Sequence, residues 1–359
     1  MGSPAEVAPV LPSDQEALAA FLAAFPGLEG KPEFWKNRFR LWWRGNPAFC
    51  GAPAGWTLRS GGAIKGFLGN LPSLFQLGGR QLTVFSITSW MVLPESREAS
   101  LALLMEHMHA SEKTLLFDTT PTAEVAEILE SMGFVSLPWA GDRESLIVLD
   151  WKRCLEAASP DFLRALGLPS LGAAALAPLQ ALRLRPLSRP GLPQSAASAE
   201  VGAEFDALWK KTSGLFANTN VRTAEALRWH CLGDPDVEKQ LFVCRASGSL
   251  AGYMVFKARA RRGLQTWDCA DFWEDPSVPG VLESLLSAAW QDARSRGLDL
   301  LAFPHFTRSL GDRLGRAGLF EHASSRRALL LGSSELLNSI NPENSYFVGL
   351  QGDYGTAVS

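Results

Sequence analysis

Tyrosine is scarce in this chain: its 359 residues include 3 Tyr against 12 Trp and 20 Phe. All three (Tyr253, Tyr346 and Tyr354) lie in the C-terminal half, so residues 1–252 contain no phenol. Cysteine is sparse too. Cys50, Cys154, Cys231, Cys244 and Cys269 form an odd set without a CxxC pair. That excludes a fully paired disulfide frame and a CxxC zinc site, and predicts reduced, mostly buried thiols. His107 and His109 stand two apart on a predicted helix, where side chains diverge, so no metal site is expected. No apolar run reaches the ~18 residues that span a bilayer. The first fifteen residues lack a basic stretch followed by an apolar one, so the expectation is a cytoplasmic protein without a secretory leader. Neither charge sign dominates. With 34 basic and 37 acidic side chains the net charge is −3, which gives no general attraction to nucleic acid or anionic lipid.

What is present is a globular composition, 47% hydrophobic and 20% charged. At ~150 residues per domain, the length predicts about two domains. A stretch rich in Pro, Ala, Ser and Leu divides them. The expected organisation is an N-terminal domain over 1–155, a linker over 156–195 and a C-terminal domain over 196–359. Within the linker, LQALRLRPL predicts a short strand that opens the second half.

The same order of elements recurs on both sides. In the first half two helices end at Gly45-Asn46-Pro47, followed by strands GWTLRS, AIKGFLGNLPSLFQL and RQLTVFSITSWMVL with Gly-Gly turns between them. A helix follows Pro94, then strand TLLFDT, a helix ending at Gly133, and strand ESLIVLDW, which is expected to close the unit. In the second half two helices end at Gly233-Asp234-Pro235. Strands QLFVCRA, LAGYMVFKARA and LQTWDCADFW follow, then a helix, strand DLLAF, a helix, and a closing strand RRALLLG. Laying 118–134 over 303–319 places Thr122 on Thr307, Leu129 on Leu314 and Gly133 on Gly318. Gly66 falls on Gly252, and Pro94 on Pro276. A tandem duplication accounts for this.

The order of elements, with the segment LGGRQLTVFSITSWMVLPESREASLALL, resembles the GNAT superfamily of N-acetyltransferases. The resemblance implies an α/β (α+β) fold of two tandem domains, each a mixed, mostly antiparallel sheet flanked by helices. It also implies a pyrophosphate loop of pattern Arg/Gln-x-x-Gly-x-Gly/Ala, matched here by Arg97, Ser100 and Ala102, with Ser100 in place of the central glycine. Backbone N–H groups at a helix start suit an anionic pyrophosphate, and small residues let it approach. Ser89, Trp90 and Met91 on the preceding strand would offer backbone groups to the pantetheine arm. The equivalent stretch in the second half, 275–281, has no Arg and begins with Glu274 and Asp275, so the cofactor is expected in the first half.

Amide formation from a thioester needs a deprotonated amine and a stabilised thiolate. In this superfamily a carboxylate near the fourth strand often serves as base, and a Tyr after the fifth as acid. The first half has Leu129 at the tyrosine position and no carboxylate on its fourth strand. The second has Asp268, Asp271 and Glu274 there, but Leu314 at the tyrosine position. The catalytic candidates are therefore Asp271, His305 at a strand end, and Tyr346 in a tail that also holds Asp353, Tyr354 and the terminal carboxylate. Arg259, Arg261 and Arg262 near a hairpin tip are candidates for phosphate contact. The surplus of Trp and Phe suits core packing, and also a cleft for an acyl chain longer than acetyl.

The function implied is acyl transfer to a small-molecule or peptide amine. The donor would be acetyl-CoA, a longer acyl-CoA, or the phosphopantetheine of an acyl carrier protein. The alternatives are a non-catalytic binding protein on a degenerate frame, and tRNA-dependent aminoacyl transfer. The second of these needs a basic face that the overall charge does not supply.

Overall fold

The computed structural model describes residues 5–27, 30–137, 139–324 and 326–348. The first half contributes β1 (Glu6–Pro9), α1 (Gln15–Ala23), α2 (Pro32–Phe39), β2 (Gly55–Ser60), β3 (Ala63–Asn70), β4 (Ser73–Leu77) and β5 (Arg80–Val92). After these come α3 (Ser100–Ala110), β6 (Leu116–Asp118), α4 (Ala123–Ser131), β7 (Val135–Ser136) and β8 (Arg143–Val148). Three helices follow: α5 (Trp151–Ala158), α6 (Asp161–Ala165) and α7 (Leu168–Arg183). The second half contains β9 (Gln194–Ser198), α8 (Ala203–Thr212), β10 (Asn218–Asn220), α9 (Ala224–Leu227), β11 (Lys239–Ala246), β12 (Ser249–Arg261) and β13 (Leu264–Glu274). It ends with α10 (Val281–Ser295), β14 (Leu300–Pro304), α11 (Arg308–Arg316), β15 (Phe320–Ala323), β16 (Leu329–Leu331), α12 (Ser334–Asn338) and β17 (Ser345–Tyr346).

The strands form two mixed sheets flanked by helices, as the duplication predicts. The overlaid residues do equivalent work. Thr122 and Thr307 cap α4 and α11, accepting from Val125 N at 3.3 Å and Leu310 N at 3.0 Å. Leu129 and Leu314 are buried on those helices, and Gly133 and Gly318 end them at φ +94° and +101°, a region open to glycine at little cost. Each half also ends its second helix in a π-turn, at Arg40–Arg44 and Arg228–Leu232. The two π-turns meet across the molecule. Trp229 Nε1 donates to Leu41 O at 2.7 Å, and Arg38 pairs with Asp234, both almost fully buried.

The closing strands differ from the expected arrangement. Strand β8, expected to close the first unit, lies in the second sheet between β14 and β15. Strand β16, expected to complete the second, lies in the first sheet between β6 and β7. Alternation of side chains fixes which face of a strand is apolar but not which of two like sheets it joins. The short β10 also crosses over, pairing antiparallel with β4 and parallel with β17. The strand expected at LQALRLRPL is absent. Those residues form the end of α7 and a following 3-10 turn at Arg185–Ser188, the Leu–Ala spacing winning over the prolines.

Candidate functional site

In each half the fourth strand of the central sheet runs beside a parallel fifth strand and then leaves it. In the first half β5 pairs with β6 only at Phe85↔Leu116 and Ser86↔Phe117. In the second, β13 pairs with β14 from Thr266↔Leu300 to Asp268↔Ala302. Just beyond the divergence each fourth strand carries an extra residue. In β5, Phe67 faces Met91 and Gly69 faces Thr88, so Leu68 is opposed by both Ser89 and Trp90. In β13, Val255 faces Asp271 and Phe256 faces Cys269, leaving Ala270 extra. Such a bulge interrupts the ladder and leaves backbone polar groups free for another partner. Ser89 sits at φ +52°, an uncommon conformation for a residue with a side chain and one that concentrates at functional sites. A Cβ on Gly69 would lie 2.8 Å from Thr88 Cγ2, so the pairing next to the bulge depends on glycine there.

After these matched bulges the two halves diverge. In the first, Ser89, Trp90, Met91, Val92 and Leu93 are all half-buried. Trp90 packs toward the α3–α4 side and Met91 toward the α1–α2 side. A 3-10 turn, Pro94–Ala99, leads into α3. Arg97 is exposed on that turn and forms no ion pair among the described residues, Ser100 is the first residue of α3, and Ala102 lies in its first turn. The three loop candidates are thus brought together at the N-terminus of an 11-residue helix, next to the bulge. Glu95 and Glu98 are exposed there, and Glu95 is 3.4 Å from Lys65 Nζ.

In the second half the same segment, Ala270 to Asp275, is buried throughout. The Arg222 guanidinium lies 4.2 Å from the Trp273 ring centroid and 5.0 Å from that of Tyr346. It donates to Asp271 Oδ1 from Nη2 at 3.0 Å and to Oδ2 from Nε at 3.0 Å. Asp271 Oδ2 also accepts from Tyr253 OH at 2.6 Å, and Tyr346 OH donates to Phe272 O at 2.6 Å. Burial pushes both phenols well above their ordinary pKa, so they are protonated donors. Glu274 pairs with Arg313 on α11. The space that remains is a cavity of about 170 Å³ walled by Phe272, Trp273, Leu310 and Tyr346.

The three catalytic candidates are therefore placed as follows. Asp271 and Tyr346 meet around Arg222 in the interior of the second half. Both Asp271 oxygens and the Tyr346 hydroxyl are already hydrogen-bonded. His305 is separate from them: its Nε2 is 2.8 Å from Ser145 Oγ, and a Cβ on Gly311 would lie 2.4 Å from Nδ1. Burial lowers its pKa, so the ring is neutral at neutral pH. Asp353 and Tyr354 lie outside the described residues.

Sequence reasoning missed a cavity of about 50 Å³ where the two halves meet. Its walls come from the ends of the diverging fifth strands (Phe117 and Thr119 on one side, Pro304 and Phe306 on the other) and from Arg326 and Phe347. Thr119 Oγ1 is buried there without a hydrogen-bond partner among the described residues. Arg326 also lines a wider groove of about 620 Å³ with Arg259, Arg261 and Arg262. Arg259, Arg261 and Arg326 all contact Oδ2 of the buried Asp268, at 3.2, 2.8 and 2.9 Å. Only a three-dimensional exchange of strands assembles this cavity, so no local motif signals it.

His107, read in sequence only as an improbable metal ligand, proves to be a core residue. Fully buried on α3, it packs against Trp56 with ring centroids 4.8 Å apart, and its Nε2 is 3.2 Å from Asn70 Oδ1. The amide oxygen only accepts, so the proton is on Nε2. Burial lowers the imidazole pKa to about 3.

No family model matches the sequence, and no curated protein matches it. Solved structures do. A probable N-acyltransferase of unknown function from Enterococcus faecalis V583 superposes with TM-score 0.60 at 11% identity, covering 92% of this chain and 72% of that one. A GCN5-related N-acetyltransferase from Anabaena variabilis gives TM-score 0.56 at 13% identity over 91% and 72%. The N-myristoyltransferase of Saccharomyces cerevisiae, solved with bound myristoyl-CoA, gives 0.56 at 12% over 96% and 83%. The likeness is one of fold: this chain folds as two tandem GNAT-like domains.

The buried neutral His107 predicts an acid-sensitive first half. Its folded pKa lies below the ~6.5 of an exposed imidazole, so the unfolded chain binds the extra proton. Its contribution is complete above pH ~6.5 and declines as pH falls toward 3, by at most about 1.4 kcal/mol per pH unit. His107→Gln keeps a donor to Asn70 without the titration. Urea denaturation between pH 7 and 5 should show a shallower decline for the variant, and parallel curves would refute the assignment.

Proposed function

We propose that this protein is an N-acyltransferase whose first half holds the acyl-thioester donor, as acyl-CoA or as carrier-protein phosphopantetheine. The observation that carries this reading is the unequal fate of two matched bulges. The first, at Ser89, leads into a half-exposed strand end and a helix start bearing Arg97, Ser100 and Ala102. The second is buried under the protein's own side chains. Arg97 would pair with the pyrophosphate, while the start of α3 supplies backbone N–H groups and a favourable dipole end. The backbone at Ser89, Trp90 and Met91 would hold the pantetheine arm and the thioester carbonyl, where donors aimed at the developing oxyanion stabilise attack. Glu98 turns to solvent in this arrangement.

The acceptor amine would enter at the cavity between the halves, where Thr119 Oγ1 offers an unused polar atom. Attack by the neutral amine forms the amide bond, breaks the C–S bond and releases the thiol after the amine's proton passes to water. Asp271, His305 and Tyr346 are engaged elsewhere and serve in this account as positioning residues, holding β13, β8 and β17 around the cavity. A location in the cytoplasm, where acyl thioesters are made, suits this chemistry; among the described residues no helix is long and apolar enough to cross a membrane.

Thermal-shift titration with acetyl-CoA, long-chain acyl-CoA and free CoA tests the donor assignment. At least one should raise Tm, because a ligand binding only the folded state stabilises it. Arg97→Glu should abolish the shift with little change in unliganded Tm, and an unchanged shift would place the cofactor elsewhere. The pH profile tests the proton's route. With water as acceptor, kcat/KM rises with the fraction of neutral amine and shows no inflection in the imidazole range. An inflection there that His305→Gln removes would make His305 the base.

A further inference from the structure

Helices α5 to α7 occupy what reads in sequence as a linker, yet they are not needed to span a distance. The chain leaves the end of β8 at Val148 and returns to the same place. On α7, Gln180 Nε2 donates to Val148 O at 2.6 Å, and its Oε1 accepts from Val148 N at 3.0 Å. The excursion is a helical hairpin, α7 lying against α5 so closely that a Cβ on Gly172 would be 2.9 Å from Leu155 Cδ1.

The inward face of α7 buries Pro169 and Gln180, and the outward face is apolar as well. Of the twelve large hydrophobic residues exposed among the described residues, six fall in this short segment: Phe162, Leu166, Leu168, Leu171, Leu179 and Leu182. Leu166 and Leu171 are 69% and 67% exposed. No charged residue occurs between 165 and 182. A contiguous apolar face of this kind marks an interaction surface rather than scattered surface leucines.

The charge around the patch selects the partner. Between 151 and 189 there are six basic residues and two acidic ones, in a chain whose total is −3. Arg185 and Arg189, just beyond α7, are exposed and form no ion pair among the described residues. Arg153 pairs with Asp299 and Arg164 with Asp161, so the charge open to a partner is that of Arg185 and Arg189 at the C-terminal end of α7. An apolar helical face followed at its C-terminal end by exposed arginines matches a bilayer interface, where leucines enter the acyl boundary and guanidinium groups meet lipid phosphates. We propose that α6 and α7 dock this protein on anionic lipid surfaces, the helices lying in the interface without crossing it. The inference is independent of the acyl-transfer reading.

Flotation of the full chain with vesicles tests it, using phosphatidylcholine alone and phosphatidylcholine mixed with phosphatidylglycerol. The protein should float with the mixed vesicles and remain behind with the neutral ones. Leu171→Glu/Leu179→Glu should reduce flotation at least about tenfold. Both leucines are exposed, so Tm should stay close to that of the wild type. Arg185→Ser/Arg189→Ser should weaken binding and lessen its dependence on salt. Equal binding to both vesicle types, no binding to either, or a dimer in solution that the leucine variant dissociates would each overturn the proposal.

Discussion

The exchange of one strand between the two sheets is the constraint on which the remaining structure depends. Strand β8 fills the second sheet between β14 and β15, and β16 fills the first between β6 and β7. Leu330 on β16 is wholly buried in a first-half cluster with Phe75 and Phe117, and Ile147 on β8 is wholly buried in the second-half core. Each half therefore completes its core with residues the other half supplies. The crossing also fixes the geometry between the halves. The connections into and out of β8 and β16 bring loop 140–141, the ends of β6 and β14, and Arg326 around a single cavity. Arg38–Asp234 and the paired π-turns hold the opposite side.

Within that frame the duplication has been used unequally. Both halves keep the divergent strands and the bulge, features that cost ladder hydrogen bonds and persist only where the surroundings maintain them. In the second half the gap is filled by a buried ion pair, Arg222–Asp271, with the Tyr253 hydroxyl bonded to Asp271 and the Tyr346 ring against the guanidinium. Such a pair repays its desolvation only when every donor and acceptor is satisfied, as here, and removing one partner leaves a buried charge. The second gap is thus committed to structure. The first retains Arg97 and a helix start at its mouth. The proposed chemistry follows from this difference, with one copy binding the donor and the other buttressing the cavity for the acceptor.

Much of this was legible in the sequence where the signal is local. Thr122 and Thr307, Leu129 and Leu314, and Gly133 and Gly318 align because a helix start, its buried face and its end each demand a residue type. The scarcity of tyrosine carried information as well: the phenols in the second-half network, Tyr253 and Tyr346, both lie beyond residue 252, and residues 1–252 contain none. The strand exchange was not legible, because ESLIVLDW and RRALLLG satisfy the pattern of either sheet and their partners lie over a hundred residues away. Helix α7 was hidden for a different reason. Its leucines recur at helical spacing, but two prolines and the lack of a charged face remove the usual amphipathic signature. The role expected of Asp271 turned on a neighbour, Arg222, that nothing near it in sequence announces.

The central claim is that the donor binds the first half and not the second. Hydrogen–deuterium exchange of the whole chain, with and without saturating acyl-CoA, measures this directly. The account predicts new protection across residues 86–102, covering the Ser89 bulge and the start of α3, with residues 270–281 unchanged. Protection confined to 270–281 would contradict it.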